Sequence, residues 1–233
     1  MHPEPLAVYP VVIIGGGACG LTAALAARDA GARVLVIERD PSPRGTTAMS
    51  TGLIPAAGTP DQAAAGIIDT PETLGADIAA KAKNGASPVV EVLARQSAAT
   101  ILWLREAHAV PLSLVTGFLY PGHTAMRMMG TPNRTGEELM AALLAACATT
   151  GVDILTQAAA TDLIAARDGR VTAVVVTRPD GALETIGCAA LILACSGFGG
   201  NEAMVRQHIP EIGGAVFHGH PGNKGDADRK SVV

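Results

Sequence analysis

The sequence predicts an α/β fold built on a parallel sheet, and three observations carry that prediction. An apolar, β-branched run at residues 7–14 (AVYPVVII) leads straight into a glycine cluster and an alanine-rich helical stretch, ACGLTAALAARDAG. A second apolar run, ARVLVIERD, follows and ends in charge. After Gly151, short alternating segments are separated by Asp168-Gly169 and Pro179-Asp180-Gly181, which are hairpin turn signals. The first two observations make a βαβ unit, whose right-handed crossover sets its strands parallel. The third inserts an antiparallel β-meander into that sheet.

Residues 7–14 read as a strand buried on both faces, with Pro10 early enough for its missing N–H to be tolerated. Gly31 fits the C′ position that ends the following helix. From Thr46 to Thr59 the chain is Gly, Thr, Ser and Pro, too polar for a core element and long for a connection, so a functional loop is expected. Helical patterns cover residues 71–86 and 88–107, and an irregular stretch containing Met126, Met128 and Met129 follows. Thr135 and Glu138 have capping-box spacing, and Leu139, Leu143 and Cys147 share one face of the helix they begin. That cap is worth about 1 kcal/mol. The later strands are VDIL, ATDLIAA, RVTAVVVT, ALETIGCA and ALILACSG, the last a buried return to the parallel sheet. With no repeat and no linker, residues 1–233 are expected to form one domain.

Composition narrows the partners. At 48% hydrophobic the 233 residues can bury a large core, and a net charge of −4 with no Lys/Arg run gives no footprint for nucleic acid or anionic lipid. No segment reaches the roughly 18 apolar residues of a membrane span, and the N-terminus lacks a signal peptide's basic start. Cys19, Cys147, Cys188 and Cys195 show no metal or redox spacing, so they read as reduced thiols in a cytoplasmic protein. Cys195 is read as a packing residue, His108 and His123 as weak candidates for a substrate-facing histidine, and His218 and His220 as lacking the partners of a metal site. No metal is expected.

Gly15, Gly17 and Gly20 complete G-x-G-x-x-G between the strand and the helix, the context in which this motif binds a dinucleotide. The first glycine permits the turn, the second admits the pyrophosphate, and the third lets helix and strand pack. The helix N-terminus then offers N–H groups and partial positive charge to phosphate. Glu38 ends the second strand, where a carboxylate holds a ribose hydroxyl and disfavours a 2′-phosphate. The glycines alone do not separate FAD from NAD. The fold predicted is therefore a Rossmann-like FAD/NAD(P)-binding domain.

Four blocks narrow this further: VVIIGGGACGLTAALAARDAGARVLVIERD, GTTAMSTGLIPAAGT, RTGEELMAALLAACATTGVDIL and ALILACSGFGGN. In order and spacing they resemble the FAD-dependent oxidoreductases of the fumarate reductase and succinate dehydrogenase flavoprotein type, which includes ketosteroid dehydrogenases. The resemblance implies FAD as cofactor and a small-molecule substrate, a dicarboxylate or a ketosteroid-like compound, reacting at a C–C bond next to a carboxylate or carbonyl. It places Gly15, Gly16, Gly17, Ala18 and Cys19 beside the pyrophosphate, and Glu38 with Arg39 at the adenosine ribose. Gly45, Thr46, Thr47, Ser50, Thr51 and Gly52 would wrap the phosphates and reach the flavin, and Ala160 would meet the adenine. The family's ATGG signature reads here as Ala194, Cys195, Ser196 and Gly197, so Cys and Ser replace Thr and Gly. Asp226 matches the acidic position of Gly-Asp-Gly, with Ala227 for the second glycine. Membrane-bound members attach flavin covalently through a histidine in the Gly/Thr loop, where this chain has Thr46, so the FAD is expected to be non-covalent.

By the same resemblance, a cap domain and a C-terminal return would follow residue 226 and supply the proton donor and the substrate-binding groups. The sequence is accordingly expected to be the N-terminal, FAD-binding portion, either truncated or a shortened relative, and no catalytic residue is assigned. A domain without that covering would self-associate. The rival readings are a non-catalytic nucleotide- or partner-binding module and a self-contained NAD-dependent oxidoreductase.

Overall fold

The computed structural model describes residues 5–82 and 87–227. In chain order the elements are β1 (Ala7–Ile14), α1 (Ala18–Asp29), β2 (Val34–Ile37), α2 (Gly45–Ala48), β3 (Ile54–Pro55), α3 (Pro60–Ala64), α4 (Pro71–Lys81) and α5 (Pro88–Glu106). Then come β4 (Ser113–Leu114), β5 (Met128–Gly130), α6 (Gly136–Thr150), β6 (Asp153–Leu155), β7 (Ala159–Ala165), β8 (Val171–Thr177), β9 (Leu183–Leu193) and α7 (Glu202–His208). The chain divides into two compact units, one of residues 1–49 and 143–233, the other of residues 50–142. Among the described residues no helix is long and apolar enough to cross a membrane.

The first unit holds a six-stranded sheet in the order β6-β2-β1-β9-β8-β7. The β6/β2, β2/β1 and β1/β9 pairs are parallel, and the β9/β8 and β8/β7 pairs are antiparallel. Val12, Ile13 and Ile14 are all buried, as a strand covered on both faces requires. On one face Val12, Ile14, Leu35 and Ile37 join Ala158, Val174, Val176, Ile186 and Cys188 in a continuous core. By strand alternation Ile13, Val34 and Val36 point the other way, and α1, which packs on β1 and β2, buries Leu21, Ala24 and Leu25. Gly31 follows the C-cap of α1 at φ +83°, the left-handed conformation expected there.

Three expectations change. ALETIGCA and ALILACSG are one strand, because the Ala189-Ala190 junction contains nothing that interrupts an extended chain. β9 pairs antiparallel with β8 from Leu183 to Gly187 and parallel with β1 from Ile186 to Leu193, so the meander extends the parallel sheet rather than standing apart from it. The stretch from Thr46 to Thr59 is not a plain loop, since it contains most of α2 and all of β3. The capping box of α6 is half formed: Thr135 Oγ1 accepts from Glu138 N at 3.2 Å, but the Glu138 carboxylate accepts from Asn133 N and Nδ2 instead of returning to Thr135. The apolar face of α6 is as expected, with Leu139, Leu143 and Cys147 buried.

In the second unit β3, β5 and β4 form a small antiparallel sheet, and α4 packs on α5 around Ala57, Leu74 and Ala94. Thr59 and Gln62 make a complete capping box on α3. Met129 fills the interior at 0% exposure, and close to it in sequence lies Arg127, equally inaccessible. The Arg127 guanidinium donates from Nε and Nη2 to the two oxygens of Asp69, both at 2.8 Å, and from Nη1 to Asp77 Oδ2 at 2.5 Å. Gln62 Nε2 also donates to Asp69, while Thr124 N and Oγ1 donate to Asp77. Burial works against the Asp77 carboxylate, but the donors on Arg127 and Thr124 outweigh it and hold its pKa below the ordinary value.

Candidate cofactor-binding site

A cleft of about 380 Å³ opens in the first unit at the carboxyl ends of β1, β2 and β9, where open α/β sheets bind ligands. The turn between β1 and α1 forms its floor. Gly15 sits at φ +110°, and a Cβ there would lie 2.5 Å from the Ala194 carbonyl oxygen. A Cβ on Gly20 would overlap the Gly15 carbonyl oxygen, so this glycine sets the approach of α1 to β1. Gly17 is different: it is extended at φ −74°, and a Cβ would meet only Thr47 Oγ1, at 3.9 Å. The protein itself does not require glycine there. The space its missing side chain leaves is cleft, in front of a helix N-terminus whose N-cap residue, Gly17, brings no side chain of its own. Room for close backbone approach and a positive dipole end are what a diphosphate needs.

Glu38, at the end of β2, accepts from Gly16 N at 2.8 Å through Oε2 and from Asp40 N at 2.9 Å through Oε1. Two main-chain donors therefore fix the carboxylate, and its remaining lone pairs can take ribose hydroxyls. Thr47 Oγ1 accepts from Ala18 N at 3.3 Å, which ties α2 to the glycine turn. Gly45 opens α2 at φ +53°. The other end of the cleft is lined by Ala158, Ala159 and Ala160 at the start of β7 and by Leu193, Ala194, Cys195 and Ser196 at the end of β9 and just beyond it. Ser196 adopts φ +65°, so it keeps a left-handed conformation in the place of the family's glycine. The conformation costs a non-glycine residue about 1–2 kcal/mol.

Of the residues marked in the sequence, the cleft brings together Gly15, Gly16, Gly17, Ala18, Cys19, Glu38, Arg39, Gly45, Thr46, Thr47, Ala160, Ala194, Cys195, Ser196 and Asp226. Gly197 is not in its lining, and Ser50, Thr51 and Gly52 belong to the second unit. Gly52 there has φ +63° and lies so near the Thr135 carbonyl that its role in that unit is a close backbone approach. His108 is buried edge-on against Trp103, with ring centroids 4.6 Å apart. Burial and the nearby Arg127 push the pKa of His123 below its ordinary value. Burial alone raises the Cys147 thiol to about 11, so it is inert at neutral pH.

The sequence reading missed Asp40, His220, Gly222 and Asn223 as cleft residues. His220 Nε2 lies 3.2 Å from Asp40 Oδ2, and its Nδ1 accepts from Gly222 N at 3.1 Å. Arg39 lies over Gly222, where a Cβ would collide with its guanidinium, and reaches Asp226 at 3.7 Å. The available signal was the HPGNKGD stretch, whose glycines permit such close contact.

A family model described as "FAD binding domain" matches residues 10–232. The chain belongs to the FAD-binding domain family. FAD is thus the cofactor of this domain, and the self-contained NAD reading falls. The chain is 26% identical over 219 residues to NADH:fumarate oxidoreductase of Klebsiella pneumoniae, covering 93% of this chain and 23% of that protein. It is 27% identical to fumarate reductase (cytochrome) of Shewanella frigidimarina, covering 93% of this chain and 38% of the relative. The open conformation of a flavocytochrome c3 fumarate reductase superposes with a TM-score of 0.88 at 26% identity, over 98% of this chain and 40% of that one. A 3-ketosteroid-Δ4-(5α)-dehydrogenase from Rhodococcus jostii RHA1 shares the fold, with a TM-score of 0.85 at 24% identity over 98% of this chain and 54% of that one. The chain spans well under half the length of these curated relatives.

Proposed function

We propose that this chain is the FAD-binding portion of a flavin-dependent oxidoreductase that reduces or oxidises a C–C bond beside a carboxylate or carbonyl. The observation that carries the reading is the cleft itself: a glycine turn with unclaimed space at Gly17, a helix N-terminus whose N-cap residue brings no side chain, and the main-chain-anchored Glu38. The relatives named as fumarate reductases favour a dicarboxylate substrate. Bound FAD would supply the hydride chemistry. The chain's own residues would bind and orient it: the N-terminus of α1 would face the diphosphate, Glu38 would hold a ribose, and the β7 and β9 ends would flank the remainder. Residues 1–233 serve as one FAD-binding domain in this reading. Ser50, Thr51, Gly52 and Gly197 remain assigned to it through the family resemblance.

The cofactor is held without a covalent bond, since the cleft presents Thr46 where covalent members carry histidine. Purified protein should show flavin absorbance, and acid precipitation should leave all of that flavin in the supernatant. Flavin that stays with the precipitate would overturn the non-covalent reading, and colourless protein that fails to take up FAD would overturn the cofactor assignment for this chain. A cytoplasmic setting and self-association belong to the same proposal. The spacing of the four cysteines, which reads as reduced thiols, supports the first, and the exposed Val89, Val92 and Leu93 stripe on α5 supports the second.

A further inference from the structure

Thr46 Oγ1 accepts two hydrogen bonds, one from His220 N and one from Asn223 Nδ2, each 3.0 Å long. A hydroxyl oxygen has two lone pairs and one hydrogen. Both lone pairs are filled by groups that donate, so any further hydrogen bond of this hydroxyl is one that it donates. Among the described residues no acceptor takes its hydrogen, and Thr46 lines the cleft.

The two donors are themselves held. His220 Nδ1 accepts from Gly222 N, which leaves the ring hydrogen on Nε2, facing Asp40. Asn223 N donates to the His220 carbonyl, and Gly200 N donates to the Asn223 carbonyl. The Thr46 hydroxyl is thereby polarised in one sense.

We propose that Asn223 is a positioning residue: with His220 N it makes the Thr46 hydroxyl an obligate donor into the cleft, toward an acceptor atom of bound FAD. The inference rests on the FAD reading above. It predicts that the direction of one hydrogen bond, rather than the mere presence of polar groups, sets part of the cofactor affinity. Asn223→Asp tests this because a carboxylate accepts where the amide donated. The Thr46 hydroxyl would then turn to the new carboxylate and leave the cleft.

FAD dissociation constants of the full chain, read from flavin fluorescence, are compared for the wild type, Thr46→Val, Asn223→Asp and the double variant, with a melting curve for each. A lost hydrogen bond to a charged acceptor weakens binding roughly tenfold. Thr46→Val and Asn223→Asp should each show at least that loss, and Thr46→Ser should retain affinity. In the Thr46→Val background, Asn223→Asp should add only the effect of its new charge, leaving a coupling of roughly tenfold between the two positions. If Asn223→Asp melts early, Asn223→Ala replaces it, with a smaller coupling of the same sign. Effects that simply multiply, in variants that melt with the wild type, overturn the inference while leaving FAD binding intact. A wild-type chain that binds no FAD overturns the underlying reading.

Discussion

A Cβ placed on Gly20 would run into the backbone oxygen of Gly15, whereas one placed on Gly17 would meet nothing nearer than Thr47 Oγ1 at 3.9 Å. The same motif therefore contains one glycine required by packing and one that packing leaves free, at the place proposed for the diphosphate. Gly20→Ala forces backbone apart and should cost near the upper end of the roughly 1–3 kcal/mol typical of overpacking. Gly17→Ala loses only the better N-cap, about 1 kcal/mol or less, but fills the space proposed for the diphosphate. Chemical denaturation should thus separate Gly20→Ala from the wild type, and FAD titration should separate Gly17→Ala. Equal stability losses with unchanged affinity in both would refute the division. This part of the site was legible in the sequence because the motif is local and each glycine acts within a few residues of itself. His220 and Asn223 were not legible as partners of Thr46, from which they stand 174 and 177 residues away. Nothing in residue type or spacing reports a main-chain N–H that arrives from such a distance.

At the level of elements, the sequence was most legible where one strong pattern decided the outcome. β1, α1 and β2 follow from apolar runs punctuated by glycine, and α5 from its helical periodicity. The small β3-β5-β4 sheet was not legible, since strands of two and three residues have no period to detect. Its neighbourhood is fixed by the buried ion cluster around Arg127, whose partners Asp69 and Asp77 lie 58 and 50 residues away. Removing the cation leaves two carboxylates inside the protein, so Arg127→Met should destabilise by about 3–5 kcal/mol, measured by urea denaturation. The pKa of Asp77 is depressed in the folded state. Its contribution is therefore full above the unfolded-state value, about 3.9, and is lost as pH falls through the lower folded value. Asp77→Asn should lower stability at neutral pH and flatten the dependence below about pH 4. An acid limb as steep as the wild type's would show that other carboxylates control it.

For the molecule as a whole, the cleft is assembled from segments that meet only when the first unit is folded. They are the β1–α1 turn, the end of β2, α2, the start of β7, the end of β9 and residues 220–226. An unfolded chain presents none of these together, so FAD should bind the native state alone and stabilise it by mass action. At a free concentration one hundred times the dissociation constant this amounts to about 2.7 kcal/mol. For a chain of this size each kcal/mol moves the melting temperature by about 2–4 °C, so saturating FAD should raise it by roughly 5–11 °C. The shift should grow with the logarithm of FAD concentration, and Gly17→Ala should need more cofactor to reach the same value. A melting temperature indifferent to FAD would mean that these segments do not act as one site.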